Sequence, residues 1–196
     1  MKTKTMIVCA LMAAVMCVCS VITVPIGPVP VTLGLFGVMI AAVILGGGKA
    51  AVATAVFILL GAVGLPVFSG FKGGFAVLVG PTGGYIWSYI PVALIIGFFA
   101  VKSFKNKWGT LAVIFGACLT GIAVCYTLGT IQFMAVTGND LPKSLGLCVL
   151  PFIPFDVAKA VIATVAGSTV RMALLKAGLI RKINRKKDGF FEIRLF

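Results

Sequence analysis

The sequence predicts an all-α integral membrane protein with six transmembrane helices and both termini in the cytoplasm. Three features predict this fold class: the composition, the spacing of the apolar segments and the distribution of basic residues. The chain has 196 residues, of which 61% are hydrophobic and only 11% are charged, and its mean hydropathy is +1.19. A soluble domain is about half apolar and a quarter charged. Because a spanning helix needs roughly 20 apolar residues, the length accommodates about six spans and leaves no room for a soluble catalytic domain.

Six apolar blocks define the predicted helices, and segments rich in proline, glycine or lysine separate them. The blocks are residues 6–24, 31–45, 50–65, 83–101, 108–136 and 155–176. The second and third blocks are short and the fifth is long, so we expect tilted helices. Pro91 predicts a kink in the fourth helix. The first block extends to residue 24 without a signal-peptidase site, so we expect it to remain as a helix. Residues 1–180 are predicted to form one transmembrane domain, and residues 181–196 a basic cytoplasmic tail.

The basic residues are distributed unequally between the two sides of this topology. The chain has 17 Lys and Arg against 4 Asp and Glu, which gives a net charge of +13. With the N-terminus inside, only Lys72, Lys143 and Lys159 lie on the outer side, as expected when cytoplasmic loops carry the positive charge. The lipid bilayer therefore explains the charge better than nucleic acid does. The sequence predicts a multi-pass protein of the cell membrane.

Several kinds of active site are incompatible with this sequence. The chain has no His, the commonest general base and a frequent metal ligand. Residues 46–49 form a Gly-Gly-Gly-Lys segment, but Ala50 follows where a phosphate-binding loop needs Ser or Thr. The six cysteines lack the spacing of zinc or redox motifs, and we expect them to be small buried apolar side chains. We therefore predict no enzymatic activity, no metal and no cofactor.

Asp156 and Lys159 are the strongest candidates for ligand binding. Their i, i+3 spacing near the start of the last helix places both side chains on one face. A charged group inside a span costs about 2.5–3.5 kcal/mol, so such residues usually face a cavity or a partner. The face continues through the small residues Ala160, Ala163 and Gly167, which leaves space for a ligand. The alternative is an ion pair that only neutralises its own charge.

The connection between the third and fourth predicted helices, residues 64–83, is a second candidate. It is apolar and contains six glycines, which allow close approach of the backbone to a ligand. Phe68, Phe71 and Phe75 can separate such a ligand from water. The sequence thus predicts a glycine-rich outer loop that caps a pocket, whereas the alternative is a flexible surface loop.

Ala10 and Ala14 form a small-xxx-small pattern in the first helix. Such a stripe allows another helix to approach closely. The partner helix can belong to another membrane protein or to this chain itself.

Four segments resemble the BioY family, the biotin-binding S components of energy-coupling factor (ECF) transporters. They are Val-Pro-Val-Thr-Leu at 29–33, Gly-Ala-Val-Gly-Leu-Pro-Val-Phe at 61–68, Gly-Pro-Thr-Gly-Gly-Tyr at 80–85 and Leu-Pro-Phe-Ile-Pro-Phe-Asp-Val-Ala-Lys at 150–159. The resemblance implies a six-helix subunit that captures biotin with high affinity for an ATP-driven importer. It also implies a transmembrane coupling subunit and ATP-hydrolysing subunits as partners. In this family the alanine motif docks the coupling subunit, and it matches Ala10 and Ala14.

The resemblance also implies a binding site. The family's ligand-binding acid and lysine match Asp156 and Lys159. Asp156 can accept hydrogen bonds from the ureido N–H groups of biotin, and Lys159 can donate to either the ureido oxygen or the carboxylate. The remaining polar contacts are expected from Thr32, Gly83, Gly84 and Tyr85. This chain departs from the family pattern in two places: Gly34 replaces a common Gln, and Phe155 replaces a common Gly before the acid.

Four other functions are compatible with the residues. They are an S component for another vitamin such as thiamine or riboflavin, a stand-alone facilitator, a membrane enzyme acting on lipids, and a structural membrane protein without a ligand. The absence of His and of acid clusters makes the enzyme the weaker alternative.

Overall fold

The computed structural model of the protein describes residues 3–24, 30–101 and 107–180. The predicted tail, 181–196, lies outside the described residues. The described ranges contain eight α-helices: α1 Thr3–Val21, α2 Gly34–Leu45, α3 Gly47–Ala62, α4 Phe75–Val79, α5 Gly83–Ala100, α6 Lys107–Thr137, α7 Leu141–Cys148 and α8 Ile153–Lys176. Two short antiparallel strands, β1 Thr23–Val24 and β2 Val31–Thr32, pair between α1 and α2.

Each apolar block of the sequence forms a helix, but the helices differ in length. Among the described residues, four are long and apolar enough to cross a membrane: α1, α5, α8 and residues 108–137 of α6. Helices α2 and α3 are apolar but have only 12 and 16 residues. Helix α5 continues through Pro91 without a break. The glycine-rich connection is not entirely a loop, because it contains α4 and a turn of 3-10 helix at Ser69–Phe71.

Helix α2 lies at the centre of the bundle, where it contacts α1, α3, α5 and α8. Val38, Met39, Ala42 and Val43 are completely buried. A helix that is hydrophobic around its whole circumference is expected to be surrounded by protein or lipid. The central position explains why this short helix has apolar residues on every face.

Glycines at the end of the bundle opposite the cavity allow two helices to approach closely. Gly46, with φ of 85°, separates α2 from α3. Helix α5 contacts the start of α3 at Gly97, where an added Cβ would collide with the backbone of Gly47. Close helix contact through small residues is the usual packing mode in membranes, where association depends on van der Waals contact.

Arg171 of α8 binds the C-terminal end of α2. Its Nη1 donates hydrogen bonds to the carbonyl oxygens of Val43 at 3.2 Å and Ile44 at 2.7 Å. These carbonyls lie in the last turn of α2, where backbone oxygens have no N–H partner within the helix and the helix dipole favours a cation. The contact fixes α8 against α2 at the end where both helices terminate.

Candidate functional site

A cavity of about 160 Å³ lies at the end of the bundle where α1 ends and where α2, α5 and α8 begin. Four of the predicted binding residues line it together: Thr32, Tyr85, Asp156 and Lys159. The remaining lining residues are Ser20, Pro30, Leu35, Phe68, Ser69, Lys72, Val77, Thr82, Ile86, Tyr89, Cys125, Tyr126, Cys148 and Phe152. The cavity therefore combines apolar and aromatic walls with a few polar groups, as is typical of small-molecule sites.

The charged pair predicted from the sequence forms an ion pair in this cavity. Lys159 Nζ lies 2.7 Å from Asp156 Oδ1. Only 4% of Asp156 and 8% of Lys159 are exposed. They lie in the first two turns of α8, which begins with Pro154 at an N-terminal position that tolerates proline. Each side chain offsets the charge of the other, which lowers the cost of placing the pair in a buried position.

Two further groups complete the hydrogen bonds of the pair. Tyr126 Oη donates to Asp156 Oδ2 at 2.7 Å, and Lys159 Nζ donates to the carbonyl oxygen of Thr32 at 2.7 Å. Thr32 therefore contributes its main chain to Lys159, while its Oγ1 accepts a hydrogen bond from the Gly34 N–H at 3.2 Å. Helices α6 and α8 and strand β2 all contribute to one polar network.

The sequence analysis missed Tyr126, Tyr89, Ser20 and Lys72 as cavity residues. Tyr126 was detectable in principle, because a polar side chain in an otherwise apolar span usually faces the interior or a pathway. Its pairing with Asp156, however, joins residues 30 positions apart. The helical repeat within one segment contains no information about such a contact.

Gly83 and Gly84 do not line the cavity. An added Cβ at Gly83 would collide with the carbonyl of Leu78, and one at Gly84 would lie 2.6 Å from the Leu128 oxygen. In this structure the two glycines allow the start of α5 to pack against α4 and α6. The contact of their backbone groups with the ligand stays a prediction.

The connection 64–83 is held against α6 by one side chain. Gln132 Nε2 donates to the carbonyl oxygens of Leu78 and Gly80, both at 2.9 Å. Trp87 Nε1 donates to the same Leu78 oxygen at 3.2 Å. These bonds satisfy carbonyls at the end of α4, so this part of the connection has a defined position beside the cavity.

Only one of the three phenylalanines predicted to close the pocket lines it. Phe68 is buried, and its ring packs edge-on against Phe57 with a centroid distance of 5.7 Å. Phe71 and Phe75 are exposed and are absent from the cavity wall. The prediction was wrong for these two residues: Phe71 ends the turn at Ser69–Phe71, Phe75 begins α4, and both side chains are exposed. Phe152 of the turn before α8 lines the cavity as well.

The two departures from the family pattern have different surroundings. Gly34 lies beside three hydroxyls: an added Cβ would be 2.9 Å from Tyr89 Oη and 3.2 Å from both Ser20 Oγ and Thr32 Oγ1. Glycine therefore leaves room for this hydroxyl cluster at the cavity wall. Phe155 is exposed and does not line the cavity.

Tyr85 lines the cavity, whereas Thr130 and Ser144, two other residues with buried hydroxyls, do not. The hydroxyls of Tyr85, Thr130 and Ser144 are buried and make no hydrogen bond with the residues that the structure describes. Cys148 of α7 lies beside Tyr85, and burial raises the pKa of its thiol, which keeps the thiol protonated at neutral pH. Four of the six cysteines are buried, as predicted, and the other two are partly buried.

Ala10 and Ala14 lie on the outer face of α1. Both are exposed, and so are their neighbours Ile7 and Leu11, whereas Ala13 is only 3% exposed and packs inside the bundle. The described part of this subunit therefore does not cover the small-residue stripe.

Comparison with known proteins agrees with this architecture. The model of the BioY family matches residues 1–176. The protein named biotin transporter BioY from Thermotoga maritima is 40% identical over 142 residues, which are 72% of this chain and 80% of the relative. Its namesake from Rhizobium etli is 34% identical over 178 residues, 87% of this chain and 94% of the relative.

A solved structure has the same fold. The crystal structure of the S component for biotin from an ECF-type ABC transporter superposes with a TM-score of 0.79 at 32% identity, covering 87% of this chain and 92% of that chain. Residues 1–176, which the family model matches, include every residue of the network that Asp156, Lys159 and Tyr126 form. This chain belongs to the BioY family.

Proposed function

We propose that this protein is the biotin-binding, substrate-capture subunit of an ATP-driven ECF importer. The observation that carries the proposal is the buried Asp156–Lys159 pair in a cavity of a chain that belongs to the BioY family. Its relatives are named biotin transporters, and the similar solved structure is described as an S component for biotin. We propose no catalytic role for the chain.

The cavity offers donors and acceptors suited to a ureido ring. Lys159 has three N–H donors and uses two of them, for Asp156 and Thr32, so one is left for a ligand carbonyl. Each oxygen of Asp156 accepts one hydrogen bond and has a further lone pair that can accept a ureido N–H. Phe68, Tyr89 and Phe152 supply aromatic surface for the apolar ring system and chain of biotin.

We propose that α1, α2, α3, α5, α6 and α8 all cross the cell membrane, with the cavity facing outward. Support comes from the basic residues at the opposite end: Lys4 and Lys49 lie in the first turns of α1 and α3, and Lys176 ends α8. A cytoplasmic location for this end follows the usual bias of Lys and Arg. Because other helices surround α2, it can contribute a span although it is shorter than the bilayer is thick.

We propose Ala10 and Ala14 as the docking face for the transmembrane coupling subunit. Their exposure supports contact with another protein and not packing within this subunit. The ATP-hydrolysing subunits would act through that coupling subunit, because residues 46–50 lack the Ser or Thr of a phosphate-binding loop.

Calorimetry on purified protein in detergent tests the ligand. We expect saturable biotin binding that excess thiamine or riboflavin does not displace. Binding of one of those vitamins without biotin binding would show an S component with another substrate. Uptake by cells that produce this chain alone, without coupling and ATP-hydrolysing subunits, would instead show a stand-alone facilitator.

A further inference from the structure

The charges of the cavity wall do not cancel. Its charged side chains in the described part of the protein are Asp156, Lys159 and Lys72. Asp156 and Lys159 neutralise each other at 2.7 Å. Lys72 is exposed, and its ammonium group makes no ion pair or hydrogen bond with the described residues. One positive charge therefore remains at the wall of the cavity.

Lys159 is poorly placed to neutralise an anionic ligand. It is buried and already binds one carboxylate, that of Asp156, together with the Thr32 carbonyl. A second carboxylate there would put a like charge beside Asp156 in a region of low dielectric, which is unfavourable. A ligand that carries one carboxylate needs a different cation for that group.

The backbone of Lys72 is fixed relative to the buried core. Its carbonyl oxygen accepts a hydrogen bond from the Phe68 N–H at 2.9 Å, which closes the turn at Ser69–Phe71. Phe68 is buried against Phe57, and its ring fills the space above Gly61, where a Cβ would collide with it. The side chain of Lys72 is exposed, but its backbone is anchored, so it extends from a fixed point at the open side of the cavity.

The turn also contains a strained residue. Phe71, which precedes Lys72, has φ of 58°, and Gly70 has φ of 67°. A left-handed conformation costs a residue with a Cβ about 1 kcal/mol or more, so it persists only where the surroundings enforce it. Here it allows the chain to place Phe71 outside and Lys72 at the cavity within two consecutive residues.

We propose that Lys72 binds the carboxylate of the ligand at the open side of the cavity, while the buried pair binds the neutral ureido end. This assignment rests on the proposed function, since biotin carries one carboxylate at the end of an apolar chain. It orients the ligand with its ring toward α8 and its acid toward the turn at Ser69–Phe71. Because Lys72 is exposed, the acid keeps part of its hydration and its desolvation cost is small.

The test compares biotin with biotin amide, which lacks the charge. Affinities of both are measured for wild type, Lys72→Gln, Lys72→Arg and Lys143→Gln. Lys143 is an exposed lysine of α7 that does not line the cavity, so it controls for a general loss of positive charge. We expect Lys72→Gln to weaken biotin binding about threefold to tenfold, between an exposed ion pair and a charge-assisted hydrogen bond. Its affinity for the amide should be unchanged, and the other two variants should bind biotin like wild type.

The outcomes separate this assignment from the proposed function. If Lys72→Gln weakens both ligands equally or neither, Lys72 does not bind the carboxylate, while biotin binding by wild type still stands. If Lys143→Gln weakens biotin as much as Lys72→Gln does, the effect is a long-range field and the assignment fails. If wild type binds neither ligand, the proposed function itself is wrong and the assignment falls with it.

Discussion

Removing one charge of the buried pair should destabilise the protein, whereas removing both should restore stability without restoring biotin binding. The perturbations are Asp156→Asn, Lys159→Met and the double variant. Asn and Met have nearly the same shapes as Asp and Lys, so packing changes little. Asp156→Asn leaves the Lys159 ammonium with the Thr32 carbonyl but without its carboxylate. Lys159→Met leaves the carboxylate with Tyr126 alone.

The size of the effect follows from burial and geometry. Both groups are more than nine-tenths buried, and their atoms are 2.7 Å apart. Breaking such a pair on one side typically costs about 3–5 kcal/mol, because an uncompensated charge stays buried. For a chain of this size, about 2–4 °C in Tm per kcal/mol predicts a decrease of about 6–20 °C for each single variant. Replacing both charges with neutral groups is often close to neutral, so the double variant should unfold near the wild-type Tm.

Thermal unfolding in detergent and biotin calorimetry, performed on the same preparations, distinguish the two roles of the pair. All three variants should lose biotin affinity, since the ligand contacts disappear in each. Single variants that unfold at the wild-type Tm would contradict the coupling of the two charges. A stable double variant that binds biotin normally would show that the pair is structural only, and the proposed site would be wrong.

Three further substitutions test separate parts of the structure. Ala10→Trp should abolish uptake and co-purification with the coupling subunit but spare biotin binding, because Ala10 is exposed; the buried control Ala13→Trp should lose stability instead, and normal uptake by Ala10→Trp would exclude this face. Gly97→Ala should lower the Tm by several degrees, because its Cβ would collide with the start of α3, whereas Gly116→Ala, with open space around it, should not. Equal Tm values for these two would refute the close contact of α3 and α5. Phe71→Asn should raise the free energy of unfolding by about 1 kcal/mol, since Asn tolerates positive φ better, and a decrease would mean that the exposed ring stabilises the turn.

Local sequence patterns were sufficient for much of the site. The i, i+3 spacing of Asp156 and Lys159 predicted a pair on one helix face, and the structure shows it at 2.7 Å. The cost of placing charge in a span made a cavity or partner the expected surroundings. The short motif around Tyr85 also indicated the right region of the chain. These predictions succeeded because the residues involved lie within one or two helical turns.

Contacts between distant segments were not predictable in this way. Tyr126 reaches Asp156 across 30 residues, and Lys159 reaches Thr32 across 127. Whether Gly84 faces a ligand or a neighbouring helix depends on the packing of α5 against α6. Local patterns likewise did not predict that Phe71 and Phe75 are exposed and lie outside the cavity wall.

The sequence by itself determined the membrane class, the six apolar helical segments, the charged pair and the family. Hydropathy and helical periodicity are properties of neighbouring residues, so they can be read along the chain. Only the tertiary structure decided which side chains meet across the bundle: the tyrosine that binds the carboxylate of Asp156, the carbonyl of Thr32 that binds Lys159, and the turn that places Lys72 at the open side of the cavity. These contacts depend on how the helices cross and how closely they approach, and side-chain packing between segments sets both.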